Sequence, residues 1–147
     1  MSISEQVQKD MVGAMKARDE RRLSTLRMVK SALKNKEIDK RAPLDDRESL
    51  QVLGTLIKQR KDSVEQFTKG GRQDLADKEA AEIAVIEVYM PKQMSEADAK
   101  AAIAALIKET GAAGPKDMGK VMGALKAKYA GQMDFGKASA LTKELLK

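Results

Sequence analysis

The sequence contains no histidine, no cysteine and no tryptophan among its 147 residues. The absence of histidine removes the side chain that titrates near neutral pH and that most often serves as general base or metal ligand. The absence of cysteine excludes disulfides, thiolate zinc sites and cysteine nucleophiles. Any catalysis would depend on carboxylates or lysines alone, so we expect no catalytic residue, no cofactor and no metal site.

Aromatic residues and long apolar runs are also scarce. Two tyrosines and two phenylalanines leave few surfaces on which unpaired bases could stack, so any nucleic-acid contact should be mainly to the backbone. No apolar run approaches the ~20 residues that span a bilayer, and the N-terminal sequence MSISEQVQKD is too polar for a signal peptide. With the missing cysteines, these features lead us to expect a cytoplasmic protein that does not contact membranes.

The net charge is +6, and the basic excess is concentrated in two regions. Residues 16 to 41 contain ten basic and four acidic side chains, and residues 116 to 147 contain seven lysines and three acids. Such regions attract phosphate-rich or acidic partners. The solvated helix faces of a protein rich in lysine and glutamate have the same composition, so charge alone leaves both interpretations open.

Apolar residues recur at helical spacing along the chain, and no alternating run typical of a strand occurs. We therefore expect an all-α fold, with an N-terminal helical hairpin body followed by a small three-helix bundle. Asp45 with Glu48 predicts a capped helix start, and Gly70 with Gly71 predicts that helix's end. The expected inward faces of the first, second and last helices are Ile3, Val7, Met11 and Met15; Leu23, Leu26, Val29 and Leu33; and Phe135, Ala138, Leu141 and Leu145.

The stretch around Pro91 is the predicted boundary between two bodies. Apolar residues surround the helix end before it, which is typical of a helix terminus buried between packed bodies. Proline stops that helix, and Ser95, followed by Glu96 and Asp98, predicts the start of the next one. The sequence thus predicts an N-terminal α-helical domain at residues 1–90 and a C-terminal three-helix module at residues 91–147.

Three stretches together resemble the YqeY family, also called GatB/YqeY-like proteins. They are LSTLRMVKSALKNKEI at 23–38, VYMPKQMSEA at 88–97 and MGKVMGAL at 118–125, followed by the ending KELL at 143–146. The resemblance covers nearly the whole chain in order. It implies a helical N-terminal body and a C-terminal module similar to the tail domain of the B subunit of the tRNA-dependent amidotransferase.

By that similarity the family is often assigned carbon-nitrogen ligase activity with glutamine as the amide donor. The tail domain faces RNA, whereas the chemistry of that enzyme belongs to a kinase-like cradle and a glutaminase subunit, neither of which this sequence contains. We therefore expect a non-catalytic accessory protein that binds the phosphate backbone of tRNA with little base readout.

The residues that match the family's glycine and lysine pattern lie in a helix expected from about 116 to 129 and in the turn after it. Gly131 matches the glycine of that turn, while the next position, often arginine in the tail domain, is Gln132. The expected nucleic-acid-binding residues are Lys116, Gly119, Lys120, Gly123, Lys126, Lys128 and Gly131, with Arg27, Lys30 and Lys34 of the second helix extending the contact.

The sequence leaves two questions open, the role of a glycine pair and the kind of partner that the chain binds. Gly119 and Gly123, four positions apart, leave one side of their helix bare, which would suit either tight packing against another helix or close approach to a phosphate backbone. The chain could also be a protein-interaction module that docks on an aminoacyl-tRNA synthetase or amidotransferase through an apolar groove between the two bodies near Tyr89 and Met90.

Overall fold

The computed structural model describes residues 1–146 of the chain, which form two compact units, residues 1–90 and 91–146. The first unit contains α1 (Ile3–Lys16), α2 (Glu20–Lys40), α3 (Asp46–Lys69) and α4 (Gln73–Glu87). The second contains α5 (Glu96–Thr110), a 3-10 turn (Pro115–Asp117), α6 (Met118–Lys128) and α7 (Phe135–Leu145). Because the described residues form helices and no strand, the all-α prediction is confirmed.

In the N-terminal unit, α1 packs along α2 and α3 packs along α4. The predicted stripe of α2 is confirmed, because its four leucine and valine residues are all buried: Leu23, Leu26, Val29 and Leu33. They meet Leu53 and Ile57 of α3 and Ile86 of α4 in a single apolar core. Arg60 of α3 is partly buried, and its Nε lies 2.9 Å from Glu82 Oε2 of α4.

Helix ends follow the local chemistry of the sequence. Asp45 caps α3, accepting the Glu48 N–H at 2.8 Å while the Glu48 carboxylate accepts the Asp45 N–H at 3.2 Å. The same reciprocal pair joins Ser2 and Glu5 at the start of α1. After α4, residues 88 to 95 are non-helical, and the Ser95 hydroxyl accepts the Asp98 N–H at 3.1 Å. The predicted cap at Asp45, the break at Pro91 and the start at Ser95 are confirmed.

The predicted inward face of α1 is wrong at its last position. Met15 is 55% exposed, and Ala14 is fully buried in its place. A helix turns about 100° per residue, so Met15 lies roughly 120° around the axis from Ile3, whereas Ala14 lies only about 20° from it. A stripe that repeats every four residues therefore rotates out of the core within three turns.

In the C-terminal unit, α5 and α7 pack on each other and on α6 around Ile103, Leu106, Val121 and Leu125. The predicted inward position Leu145 of α7 is 42% exposed, and Leu146 is buried instead. Leu146 follows the buried Ala138 and Thr142 at intervals of four residues, so the three share one face, whereas Leu145 lies about 100° around the axis from Leu146.

Candidate nucleic-acid interface

The predicted helix from 116 to 129 is shorter in the structure. Pro115–Asp117 forms a 3-10 turn, and α6 begins at Met118 and ends at Lys128. Lys116 therefore lies before α6 and not on it. Gly111, with φ of +68°, reverses the chain at the end of α5, so that the following loop leads into α6. Glycine suits this left-handed conformation because it has no Cβ.

Gly119 and Gly123 lie on the exposed side of α6. Val121 and Leu125, which face the core, are fully buried. A Cβ built on either glycine meets no atom within 4 Å in the described part of the chain. The glycine pair is therefore not used to pack another helix within the described part of the C-terminal unit, and a strip of helix backbone is open there.

Two lysines border this open backbone. Because a helix turns about 100° per residue, Lys126 lies on one side of the glycine pair and Lys120 on the other, roughly 120° apart around the axis. Both are exposed, and α6 itself contains no acidic residue. Among residues 1–146, neither lysine forms a salt bridge. Their charges are available to an external anion.

The N-cap residue of α6 is Asp117, but no side-chain hydrogen bond caps the helix. Asp117, the acid nearest in sequence, uses its carboxylate to accept the Ala113 N–H at 2.9 Å in the preceding loop. Lys116 is exposed within the same turn and pairs with no carboxylate among the described residues.

Lys128 and Gly131 are placed differently from the rest of the predicted set. Lys128 lies about 160° around α6 from the glycine pair, with its Nζ 5.7 Å from the centre of the Tyr129 ring. Gly131 has φ of +75°, a left-handed conformation that glycine adopts without a steric clash, so the turn itself accounts for a glycine at this position. Its carbonyl accepts a hydrogen bond from Gln93 Nε2 at 2.5 Å. The structure thus groups Gly119, Lys120, Gly123 and Lys126, with Lys116 at the helix start.

Gln93 is a positioning residue that the sequence gave no reason to select. Gln93 donates a hydrogen bond to the Gly131 carbonyl. The next residue, Met94, donates its N–H to the Gln132 carbonyl at 2.8 Å. The turn after α6 is therefore held by the segment that begins the C-terminal unit. The two partners are 38 positions apart, and no local pattern signals such a pairing.

Arg27, Lys30 and Lys34 belong to the N-terminal unit and are exposed on α2. At about 100° per residue, Arg27 and Lys34 lie on the flank of the buried stripe, on the outer side of α2, and Lys30 lies closer to that stripe. Lys30 donates a hydrogen bond to Gln8 of α1. None of the three pairs with a carboxylate within residues 1–146. Four cations in the described part of this unit do form salt bridges: Lys40 with Glu48, Arg60 with Glu82, Lys69 with Glu65 and Arg72 with Asp74.

The acidic groups of residues 1–146 pair with cations or stand apart from one another. Glu82, an acid of α4, pairs with Arg60. No group of three or more carboxylates within residues 1–146 is arranged to hold a metal ion. Over the same residues, no helix combines the length and the apolar character needed to cross a membrane.

The family profile described as Yqey-like protein matches residues 4–146. The chain belongs to the YqeY family. The resemblance read from the sequence motifs is therefore confirmed.

Curated relatives share this YqeY-family sequence in part. Altered inheritance of mitochondria protein 41, mitochondrial, of Kluyveromyces lactis is 46% identical over 84 residues, which cover 56% of this chain and 45% of the relative. The protein of the same name in Lachancea thermotolerans is 40% identical over 106 residues, covering 70% of this chain and 57% of the relative. The Saccharomyces cerevisiae protein (strain YJM789) is 42% identical over 82 residues, covering 55% and 44%. This chain spans about half the length of these relatives.

The names of these relatives contradict the expectation of a cytoplasmic protein, because all three are named as mitochondrial. That expectation came largely from a composition free of cysteine. Such a composition suits any reducing compartment, so it could not separate the cytoplasm from the interior of an organelle.

Proposed function

We propose that this YqeY-family chain is a non-catalytic accessory protein that binds the phosphate backbone of tRNA through the C-terminal unit. The observation that carries the proposal is the open backbone at Gly119 and Gly123, bordered by Lys120 and Lys126 without paired carboxylates. Bare helix backbone allows a nucleic-acid strand to come close, and the flanking ammonium groups neutralise its phosphates.

The choice of tRNA among polyanions rests on the resemblance of the C-terminal module to the amidotransferase tail domain. The alternative, a protein-interaction module near Tyr89 and Met90, has less support from the geometry. Both residues are half-buried and pack against the core of the N-terminal unit, and the Tyr89 hydroxyl donates to Asp10 Oδ2 at 2.5 Å. Their surface is already used inside that unit.

The salt dependence of tRNA binding tests the electrostatic part of the proposal. The logarithm of affinity should fall steeply with the logarithm of salt concentration, by about 0.7 to 0.9 per phosphate contact. The double variant Lys116→Glu, Lys120→Glu should bind total tRNA more weakly and with a shallower slope. The matched control Lys58→Glu, Lys61→Glu changes two exposed lysines of α3 and should leave binding nearly unchanged.

A second variant tests the bare backbone separately from charge. Gly119→Ala with Gly123→Ala should weaken tRNA binding several-fold, although alanine favours the helix, because each added methyl group occupies the space a phosphate would enter. Gly54→Ala in α3 is the control, since its Cβ also meets no atom within 4 Å. Unchanged tRNA binding by the double alanine variant would contradict close backbone approach.

Two further results would overturn the proposal as a whole. If the protein gives no tRNA shift at about 150 mM salt but copurifies with one protein partner, the interaction-module alternative is favoured. If the purified chain alone forms an amide with glutamine as the nitrogen donor, the non-catalytic assignment is wrong, and the family's carbon-nitrogen ligase assignment applies.

A further inference from the structure

We infer that the outer side of α2, in the N-terminal unit, is a second RNA-contact surface, and that the depression at its C-terminal end takes one unpaired base that carries an exocyclic amino group. The inference rests on the RNA-binding function proposed above. It concerns a different unit and a different contact, so the two can fail separately.

The outer side of α2 carries cations that form no salt bridge within residues 1–146. Arg27 and Lys34 are exposed and seven residues apart, which puts them on one face about 10 Å apart along the axis. Ser24 and Ser31 lie on the same face and are also exposed. Lys30, at its edge, is held by the neutral amide of Gln8, so its position is fixed while its charge is retained. Such a face is complementary to a polyanion.

The depression lies where α2 ends and the chain reverses. Arg41, with φ of +60°, turns the backbone, and the N–H groups of Arg41 and Ala42 donate to the Ile38 and Glu37 carbonyls at 3.2 and 3.3 Å. Lys40 fixes the loop from the other side, donating to the Pro43 carbonyl at 3.3 Å and pairing with Glu48 at 2.5 Å. The shape is therefore held by hydrogen bonds on both sides.

The lining of this depression suits a nucleotide. Ile38, Ala42 and Pro43 give an apolar surface, Lys34 supplies a cation and Glu37 supplies a carboxylate. Ile38 is 62% exposed, which is unusual for a large aliphatic side chain on an otherwise polar helix face. An apolar surface can lie against a base plane, the ammonium group can meet a phosphate, and a carboxylate accepts hydrogen bonds from exocyclic amino groups such as that of cytosine.

The size of the depression limits what it can hold. Its volume is about 270 Å³, which is below the range of about 300 to 1,000 Å³ typical of pockets that enclose a whole small molecule. It therefore suits a single base of a longer strand. An anionic membrane is a poorer partner for this face, because a membrane-binding helix needs a continuous apolar side, and Ile38 is the only large apolar residue exposed on α2 among the described residues.

The test uses the full chain and three hairpin RNAs: one with blunt ends, one with a single-stranded cytidine extension and one with a uridine extension. Fluorescence anisotropy should rank the cytidine extension first, because uracil has no exocyclic amino group. Glu37→Met should abolish the difference of roughly three- to tenfold between cytidine and uridine without weakening binding of the blunt hairpin. Glu20→Met, which removes an exposed acid at the other end of α2, should keep the cytidine preference.

The basic face is tested by Arg27→Gln with Lys34→Gln. This variant should bind all three hairpins more weakly and should flatten the salt slope by about 0.7 to 0.9 per lost phosphate contact. The control variant Lys58→Gln with Lys61→Gln removes the same charge from α3, and it should change neither the affinity nor the salt slope. Ile38→Ser should lower affinity for both extended hairpins and leave the blunt hairpin unaffected.

The outcomes separate this inference from the proposed function. If α6 variants lose RNA binding while all α2 variants behave as the unmodified protein, the second surface is wrong and the proposed function stands. If α2 variants lose binding and α6 variants do not, the main RNA contact has been assigned to the wrong unit. Equal affinity for cytidine and uridine extensions would overturn the base site, and binding of anionic vesicles that depends on Arg27 and Lys34 would overturn the choice of RNA.

Discussion

At the residue scale, the contact between Tyr89 and Asp10 joins the end of α4 to α1. The hydroxyl of Tyr89 donates to Asp10 Oδ2 at 2.5 Å. Burial of the phenol, and then its hydrogen bond to the Asp10 carboxylate, raise the pKa of Tyr89 above its ordinary value of 10.0. Both causes disfavour the phenolate, because an anion would lose solvation and face a second negative charge.

This raised pKa predicts a loss of stability at high pH. Below about pH 10 the phenol is protonated in both the folded and the unfolded chain, and the hydrogen bond contributes in full. Above it, the unfolded chain releases the proton while the folded chain retains it, so the free energy of unfolding should fall as pH rises. Denaturant unfolding measured from pH 8 to 11 should therefore show a steeper decline for the natural chain than for Tyr89→Phe.

An optical titration checks the same residue directly. The chain has two tyrosines, so in a Tyr129→Phe background the near-ultraviolet absorbance of tyrosinate reports Tyr89 alone. Its midpoint should lie above 10 in the folded protein and return to about 10 in denaturant. A folded-state midpoint at or below 10 would contradict the buried, hydrogen-bonded phenol.

At the scale of single elements, the helices differ in what their glycines do. Gly54 in α3 has helical geometry and open space around a built Cβ. Gly131 instead has φ of +75° in the turn after α6, where a side chain is strained whatever the space around it. The same substitution should therefore have opposite effects at the two positions.

Gly54→Ala should raise the free energy of unfolding by about 0.5 to 1 kcal/mol, because alanine loses less backbone entropy on forming a helix. Gly131→Ala should lower it by about 1 kcal/mol or more, because an L-residue pays that steric cost in the left-handed region. Chemical denaturation of the two variants measures both changes in the free energy of unfolding. A destabilising Gly54→Ala would mean that α3 packs more tightly at that point than the structure describes.

The elements also explain which sequence predictions were accurate. Helix starts at Asp45 and Ser95 depend on hydrogen bonds within a single turn, so the local sequence is enough to place them. The inward faces were predicted well near the middle of α2 but failed at Met15 and Leu145, where small errors in helical period accumulate. For α6, the glycine and lysine spacing was visible, but the sequence left open whether the glycine side would be covered.

At the scale of the whole molecule, residues 1–90 and 91–147 form two units that each have an apolar core. That they fold as independent domains stays a prediction. Expressed separately, both pieces should be helical by circular dichroism and should melt cooperatively, with the shorter piece less stable because a smaller chain buries a smaller fraction of its surface. Two pieces that are both unstructured, beside a full chain that unfolds in one transition, would show that the units depend on each other.

The sequence by itself determined the helical class, the helix caps, the stop at Pro91, the two basic regions and the family, because each depends on composition or on neighbours within a few residues. Only the tertiary structure decided that the glycine side of α6 is open, that Lys128 points away from it, and that Ala14 and not Met15 enters the core. It also placed Gln93 against the turn at Gly131 and formed the depression at the end of α2. These outcomes depend on which helix surfaces bury one another, and that is settled by packing between residues far apart in the chain.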